Sequence, residues 1–158
     1  MNEKTPAETA VRGTHSTVVN RTTVISSTAS DSHTWNLVFL QLLLEELGFQ
    51  VTNLGSCVPP DLLADECSRR RPDLIVLSSV NGHGFHDGLH TVRLLRTREE
   101  LRETSIVIGG KLAIDGIDPE QATALLEAGF DLVCQDRPAD VAALRSFATA
   151  LPAGAVAA

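Results

Sequence analysis

The chain reads as an α/β domain: a single open, doubly wound sheet of five parallel strands flanked by helices. Three observations predict it. From Thr22 onward, short β-rich runs alternate with longer helical patterns, the order that a parallel sheet with crossover helices requires. The run Asp73-Leu74-Ile75-Val76-Leu77-Ser78-Ser79 is almost continuously apolar, as suits a central strand buried on both faces. A length of 158 residues with 43% hydrophobic content suits one compact core rather than two.

The first strand is Thr22 to Ser27, β-branched at its start and small and polar at its carboxyl end. Leu37, Leu40, Leu43, Leu44 and Leu47 then recur at helical spacing. Val38, Phe39 and Leu42 widen the apolar stripe, so this helix is expected to be largely buried, with Gly48 as its stop. Gln50 to Leu54 is the second strand. Pro59-Pro60 open a helix to about Arg70, because proline fits a first turn that has no N–H partners. Arg69, Arg70 and Arg71 lie at that helix's negative end. After the third strand, Asn81-Gly82-His83-Gly84 forms a turn into a helix bearing Leu89, Val92, Leu95 and Leu101. Ser105 to Ile108 is the fourth strand, closed by Gly109-Gly110, and Pro119 to Ala128 the fourth helix. Asp131 to Cys134 pairs with a last helix carrying Val141, Leu144, Phe147 and Leu151. The domain therefore spans 21–151, with flexible tails expected at 1–20 and at the Ala-rich 152–158.

Composition narrows the function. Thirteen Lys and Arg against twenty Asp and Glu give a net charge of -7, which disfavours a hold on nucleic-acid backbones or anionic lipid. Cys57, Cys67 and Cys134 are scattered and odd in number, so they read as small buried hydrophobes in a reducing cytoplasm, not as a disulfide framework or zinc knuckle. No apolar run approaches membrane-spanning length, and residues 1–20 lack the apolar segment of a signal peptide. A soluble cytoplasmic protein is expected.

In a doubly wound sheet, ligands bind beyond the carboxyl ends of the strands where the strand order reverses. Three segments converge there: Asp31 and His33 after the first strand, Ser78, Ser79, Gly82 and Gly84 after the third, and Gly109-Gly110 after the fourth. A carboxylate two positions from a histidine can supply a metal ligand and its orienting partner. Alone, an Asp-x-His is more often a local hydrogen-bonded turn. His83, His86 and His90 read as solvated, and Trp35 as a core anchor in preference to a lid over the site.

Taken together, Asp31-Ser32-His33-Thr34-Trp35-Asn36, Ser78-Ser79-Val80 and Gly109-Gly110 resemble the Asp-x-His-x-x-Gly, Ser-x-Leu and Gly-Gly pattern of cobalamin-binding subunits of adenosylcobalamin-dependent carbon-skeleton mutases. The small subunit of glutamate (methylaspartate) mutase is the nearest type, and the resemblance covers Thr22 to Leu151. It implies a flavodoxin-like domain that binds adenosylcobalamin with the nucleotide base displaced from cobalt. His33 would be the lower axial ligand and Asp31 its partner, with Ser32 and Thr34 in the same loop. Ser78, Gly109 and Gly110 would leave a slot for the nucleotide tail, Val80 would be a further cofactor-binding residue, and Gly82 and Gly84 would let the main chain pass close to the corrin. It further implies an isomerase acting on glutamate and 3-methylaspartate, completed by a larger barrel-type catalytic subunit. The alternatives are a stand-alone corrinoid carrier or sensing module, or a doubly wound phosphate-binding domain without corrinoid. Two positions depart from the pattern. Val80 stands for leucine, a small change in volume. Asn36 stands for the last glycine, which matters if that residue needs φ > 0 or lies against the cofactor.

Overall fold

Five parallel strands pair in the order β2-β1-β3-β4-β5 in the computed structural model, which describes residues 20–152. The elements are β1 (Arg21–Ser27), α1 (Trp35–Glu46), β2 (Phe49–Asn53), α2 (Pro60–Arg70), β3 (Leu74–Ser79), α3 (Gly84–Arg96), β4 (Ser105–Gly110), α4 (Pro119–Ala128), β5 (Leu132–Val133) and α5 (Pro138–Ala150). The expected tails lie outside the described residues apart from Asn20 and Pro152. No helix among the described residues is long and apolar enough to cross a membrane.

Alternation along the strands divides the core in two. Val24, Ile75, Leu77, Ile106 and Ile108 face α2, α3 and α4, whereas Ile25, Leu74, Val76 and Val107 face α1 and α5. Every residue of β3 is buried, as its continuous apolar run predicted. The chain leaves β1 towards β2 on one side and returns to β3 on the other. The β1–α1 and β3–α3 loops therefore meet at the carboxyl edge, above the reversal of strand order.

Local chemistry fixes the ends of the elements. Prolines open α2, α4 and α5, and Asp118 and Gln121 form a reciprocal cap at α4. Gly48, at φ +86°, follows α1 in the left-handed conformation that stops a helix. At the edge opposite the loops, the Arg21 guanidinium donates to the carbonyls of Leu47 (2.9 Å) and Ala148 (3.0 Å) and stacks on Phe49. One cation thereby joins the negative ends of α1 and α5.

Four expectations need correction. Helix α1 is not largely buried: Asn36, Leu37, Leu43 and Leu44 are, but Trp35 (64%), Val38 (55%), Phe39 (48%) and Leu42 (62%) are exposed. A helix laid on one sheet face buries one side only, and no other described element covers the opposite side. Trp35 is accordingly not a core anchor. Cys57 is exposed, on a loop at φ +54°, while Cys67 and Cys134 are buried as expected. Leu101 is buried, but in a short 3-10 turn (Glu99–Leu101) after α3, not in the helix itself.

Two glycines allow a contrast. A Cβ on Gly110, at φ +114°, would collide with the Ser79 carbonyl oxygen, whereas one on Gly88, inside α3, would crowd the Ile108 Cδ1 methyl at 2.5 Å and otherwise make ordinary contact with Leu125 and Phe130. Backbone cannot yield as a methyl can, and left-handed φ adds about 1–2 kcal/mol for an ordinary residue. Urea denaturation should show Gly110→Ala destabilised by about 3 kcal/mol. Gly88→Ala should lose less, because alanine regains about 1 kcal/mol of helix propensity.

Candidate functional site

Asp31 is fully buried at the rim, and each of its polar atoms has a partner. Oδ1 accepts from the His33 backbone N–H (2.9 Å) and faces His33 Nδ1 at 2.7 Å. Oδ2 accepts from the Val80 N–H in the β3–α3 loop, and the Asp31 carbonyl accepts from Cys57 N–H (2.9 Å) in the β2–α2 loop. One residue thus ties three loops together. Burial, the largest single influence, pushes the Asp31 carboxyl up, but the Val80 and His33 N–H donors and the His33 ring together hold it below the ordinary value.

This partner decides the state of the imidazole. An ionised carboxylate only accepts, so Nδ1 carries a hydrogen in this pair and Nε2 is the ring nitrogen left for a further partner. The His33 side chain is 48% exposed. One imidazole with one orienting carboxylate suits a metal that brings its other donors with it.

Further ties hold the rim. Thr28 N–H donates to the Ser78 carbonyl, Ser27 Oγ to the His33 carbonyl, and Asn81 Nδ2 to the Ser30 carbonyl. The Ser30 hydroxyl donates to Asp87 on α3 at 2.5 Å.

Beside this rim, between α1 and α5, lies a cavity of about 320 Å³. Its lining is mostly apolar, from Phe39, Val76, Val107 and Leu144 among others. Of the residues expected at the site, Ser78, Val80, Gly109 and Gly110 line this cavity, and Asp31 and His33 form the pair just described. Ser32 and Thr34 are exposed on the same loop. Gly82 and Gly84 are not part of the lining: Gly84 is buried where a Cβ would lie 2.7 Å from Ser79 and Leu112, and Gly82 turns at φ +86° beside Ile114.

Asn36 answers the question raised by its departure from the pattern. It sits in the first turn of α1 without a positive φ, so left-handed geometry is not at issue. Its side chain is buried, lines the cavity and donates from Nδ2 to Ser78 Oγ at 2.5 Å, and its Oδ1 has no partner. The β5–α5 loop, Gln135 to Arg137, also lines the cavity and was not anticipated. The rule that placed ligands beyond strand ends applies equally to β5, and was the available signal. Cys134 at this wall is a buried thiol, pushed up to about 11 by burial, and so no nucleophile.

The sheet order, the rim and the cavity define a doubly wound domain with a cavity beside the carboxyl edge of its sheet. The chain belongs to the family of B12 binding domains, whose model matches residues 21–148. It is 30% identical over 119 residues to the glutamate mutase sigma subunit of Halobacterium salinarum, covering 71% of this chain and 74% of that protein. Against the glutamate mutase sigma subunit of Escherichia coli O157:H7 it is 32% identical over 113 residues, covering 71% and 75%. Among solved structures it is similar to a cobalamin-binding protein from Desulfitobacterium hafniense (TM-score 0.63, 20% identity, 80% of this chain and 56% of that one). The monomethylamine corrinoid protein of Methanosarcina barkeri gives a TM-score of 0.66 at 16% identity, over 81% and 56%. The chain spans just over half the length of these two. Chemotaxis protein CheY4 of Vibrio cholerae has a TM-score of 0.60 at 14% identity, over 84% and 99%, so likeness at this level speaks to the fold alone.

The buried carboxylate gives the protein an acid limb. Asp31 is held below its ordinary value of 3.8, so its contribution is complete above that value and is lost as pH falls through the folded-state value. Asp31→Asn should cost about 2 kcal/mol at neutral pH, the scale of hydrogen bonds to a charged group. In denaturation series the gap between wild type and variant should close in acid. A gap independent of pH would show that the carboxylate's charge plays no part.

Proposed function

We propose that this chain is the cobalamin-binding subunit of an adenosylcobalamin-dependent carbon-skeleton mutase, and that glutamate and 3-methylaspartate are its substrate pair. The observation that carries the reading is the Asp31–His33 pair at 2.7 Å, tied through Asp31 to Val80, which lines a slot together with Ser78, Gly109 and Gly110. The glutamate mutase sigma subunits among its relatives support the reaction class.

The residues present fit the cofactor. His33 offers an Nε2 lone pair, and Asp31 keeps the ring's proton on the opposite nitrogen. The slot between α1 and α5 is apolar apart from a few groups near the rim, among them Ser78 and the unpartnered Asn36 Oδ1, and would hold the nucleotide tail away from water. Gly109 and Gly110 keep side chains out of its floor. Bound adenosylcobalamin supplies a cobalt–carbon bond whose homolysis starts radical rearrangement, chemistry that belongs to the cofactor. Ser32 and Thr34 are exposed beside His33 and would meet the corrin, with Val80 at the slot mouth and Gly82 and Gly84 shaping the neighbouring turn. A separate, larger barrel-type subunit would supply the substrate site and dock over the same rim.

Absorption spectra test the assignment. Purified protein mixed with adenosylcobalamin or methylcobalamin should show the base-off, histidine-ligated form, and His33→Ala should lose it. Asp31→Asn should weaken cofactor affinity by about 10–100-fold, the usual effect of removing a ligand's partner. Free-cofactor spectra at high wild-type protein concentration would overturn the reading. Isomerisation of glutamate when a barrel subunit is added distinguishes a mutase from a carrier, which would bind cofactor and never complete turnover.

A further inference from the structure

Ser30 precedes the Asp31–His33 pair, and its polar atoms are engaged by residues that follow β3. The Ser30 hydroxyl donates to Asp87 Oδ2 (2.5 Å) and accepts from Asn81 Nδ2 (3.0 Å), and the Ser30 carbonyl accepts from the same Asn81 nitrogen (3.0 Å). Asn81 is itself fixed, because its Oδ1 accepts from Ser79 Oγ (3.1 Å) and from the His83 N–H (3.0 Å). Asp87 lies in the first turn of α3, where the positive helix end favours a carboxylate. Gly84 and Gly88 of the same helix are buried, so the turn that carries Asp87 is seated firmly. Helix α3 packs on the sheet face opposite α1. The Val80 and Cys57 N–H groups that hold Asp31 belong to loops, whereas the Ser30–Asp87 bond fastens the same segment to a helix on the far side of the sheet.

Resting on the cobalamin reading above, we propose that Asp87, acting through Ser30, is a positioning residue that holds the β1–α1 loop where the His33 imidazole meets cobalt. Asp87 is not part of the cavity lining and makes no hydrogen bond to His33. It acts by ordering the loop before the cofactor arrives, so that binding does not bear that ordering cost. The requirement is an acceptor oxygen for the Ser30 hydroxyl, which a carboxamide also supplies.

Calorimetric titration of the full chain with methylcobalamin, together with amide hydrogen exchange of the cofactor-free protein, tests this. Asp87→Ala and Ser30→Ala should each weaken binding by about tenfold, the scale of one hydrogen bond to a charged group. The double variant should also lose about tenfold, and not the roughly hundredfold of two independent sites. Asp87→Asn should stay within about threefold of wild type, because a neutral acceptor bonds less strongly than a charged one but still bonds. Without cofactor, the His33 N–H, held by Asp31 Oδ1, should exchange about tenfold faster in both alanine variants while the β3 amides are unchanged. If Asp87→Ala also speeds exchange in β3, a mark of general destabilisation, Ser30→Ala on its exposed loop decides the outcome. Wild-type affinity in Ser30→Ala, equal losses in Asp87→Asn and Asp87→Ala, or His33 exchange unmoved in the alanine variants would overturn the proposal and leave the cofactor reading intact. Failure of wild type to bind methylcobalamin would instead overturn the cofactor reading, and this proposal with it.

Discussion

A buried carboxylate must find a donor for each oxygen or lose its charge, and Asp31 meets that demand by drawing in the loops on both sides of the strand-order reversal. The rim's shape follows from this constraint. Val80 N–H is held at one oxygen and His33 at the other, so the imidazole is oriented by the same contacts that join β1 to β3 above the sheet. Position and chemistry have a common cause. A histidine free on its loop would sample many rotamers, and here the fold has already selected one.

The slot follows from a second constraint, the close approach of β3 and β4 at their carboxyl ends. Gly110 passes against the Ser79 carbonyl, and Gly109 lies where a Cβ would be 3.2 Å from the Cys134 Cβ. With no side chains rising from those positions, space remains between α1 and α5 that the Leu and Val side chains below do not fill. Ser78, buried near the carboxyl end of β3, is then a hydrogen-bonding group in the slot's lining.

Much of this was legible in the sequence where one residue's chemistry admits one solution. The all-apolar β3, the Pro119 start of α4, Gly48 after α1 and the Asp31–His33 spacing all have local causes, and each lies where expected. Less was legible where the answer depends on what covers a surface. The apolar pattern of α1 is the same whether Trp35, Val38, Phe39 and Leu42 meet a neighbour or water, and only the tertiary arrangement leaves them exposed. Cys57 reads as a hydrophobe by type, yet it occupies a left-handed turn beside Asp31. The β5–α5 loop reaches the cavity because a short strand brings it there, and no motif marks it. Asn36 stood out as a departure, but its bridge to Ser78 spans 42 positions of chain and is a fact of packing.

Arg21 lies far from this chemistry and still bears on it. Its guanidinium fastens the last turn of α5 to the end of α1 at the edge remote from the rim. The two helices that flank the cleft are therefore joined at the edge away from it, where Arg145 of α5 also pairs with Glu46 of α1 at 2.9 Å. Leu44, Phe49 and Ala148 belong to one buried cluster at that end, so both walls of the cleft rise from a shared, packed base.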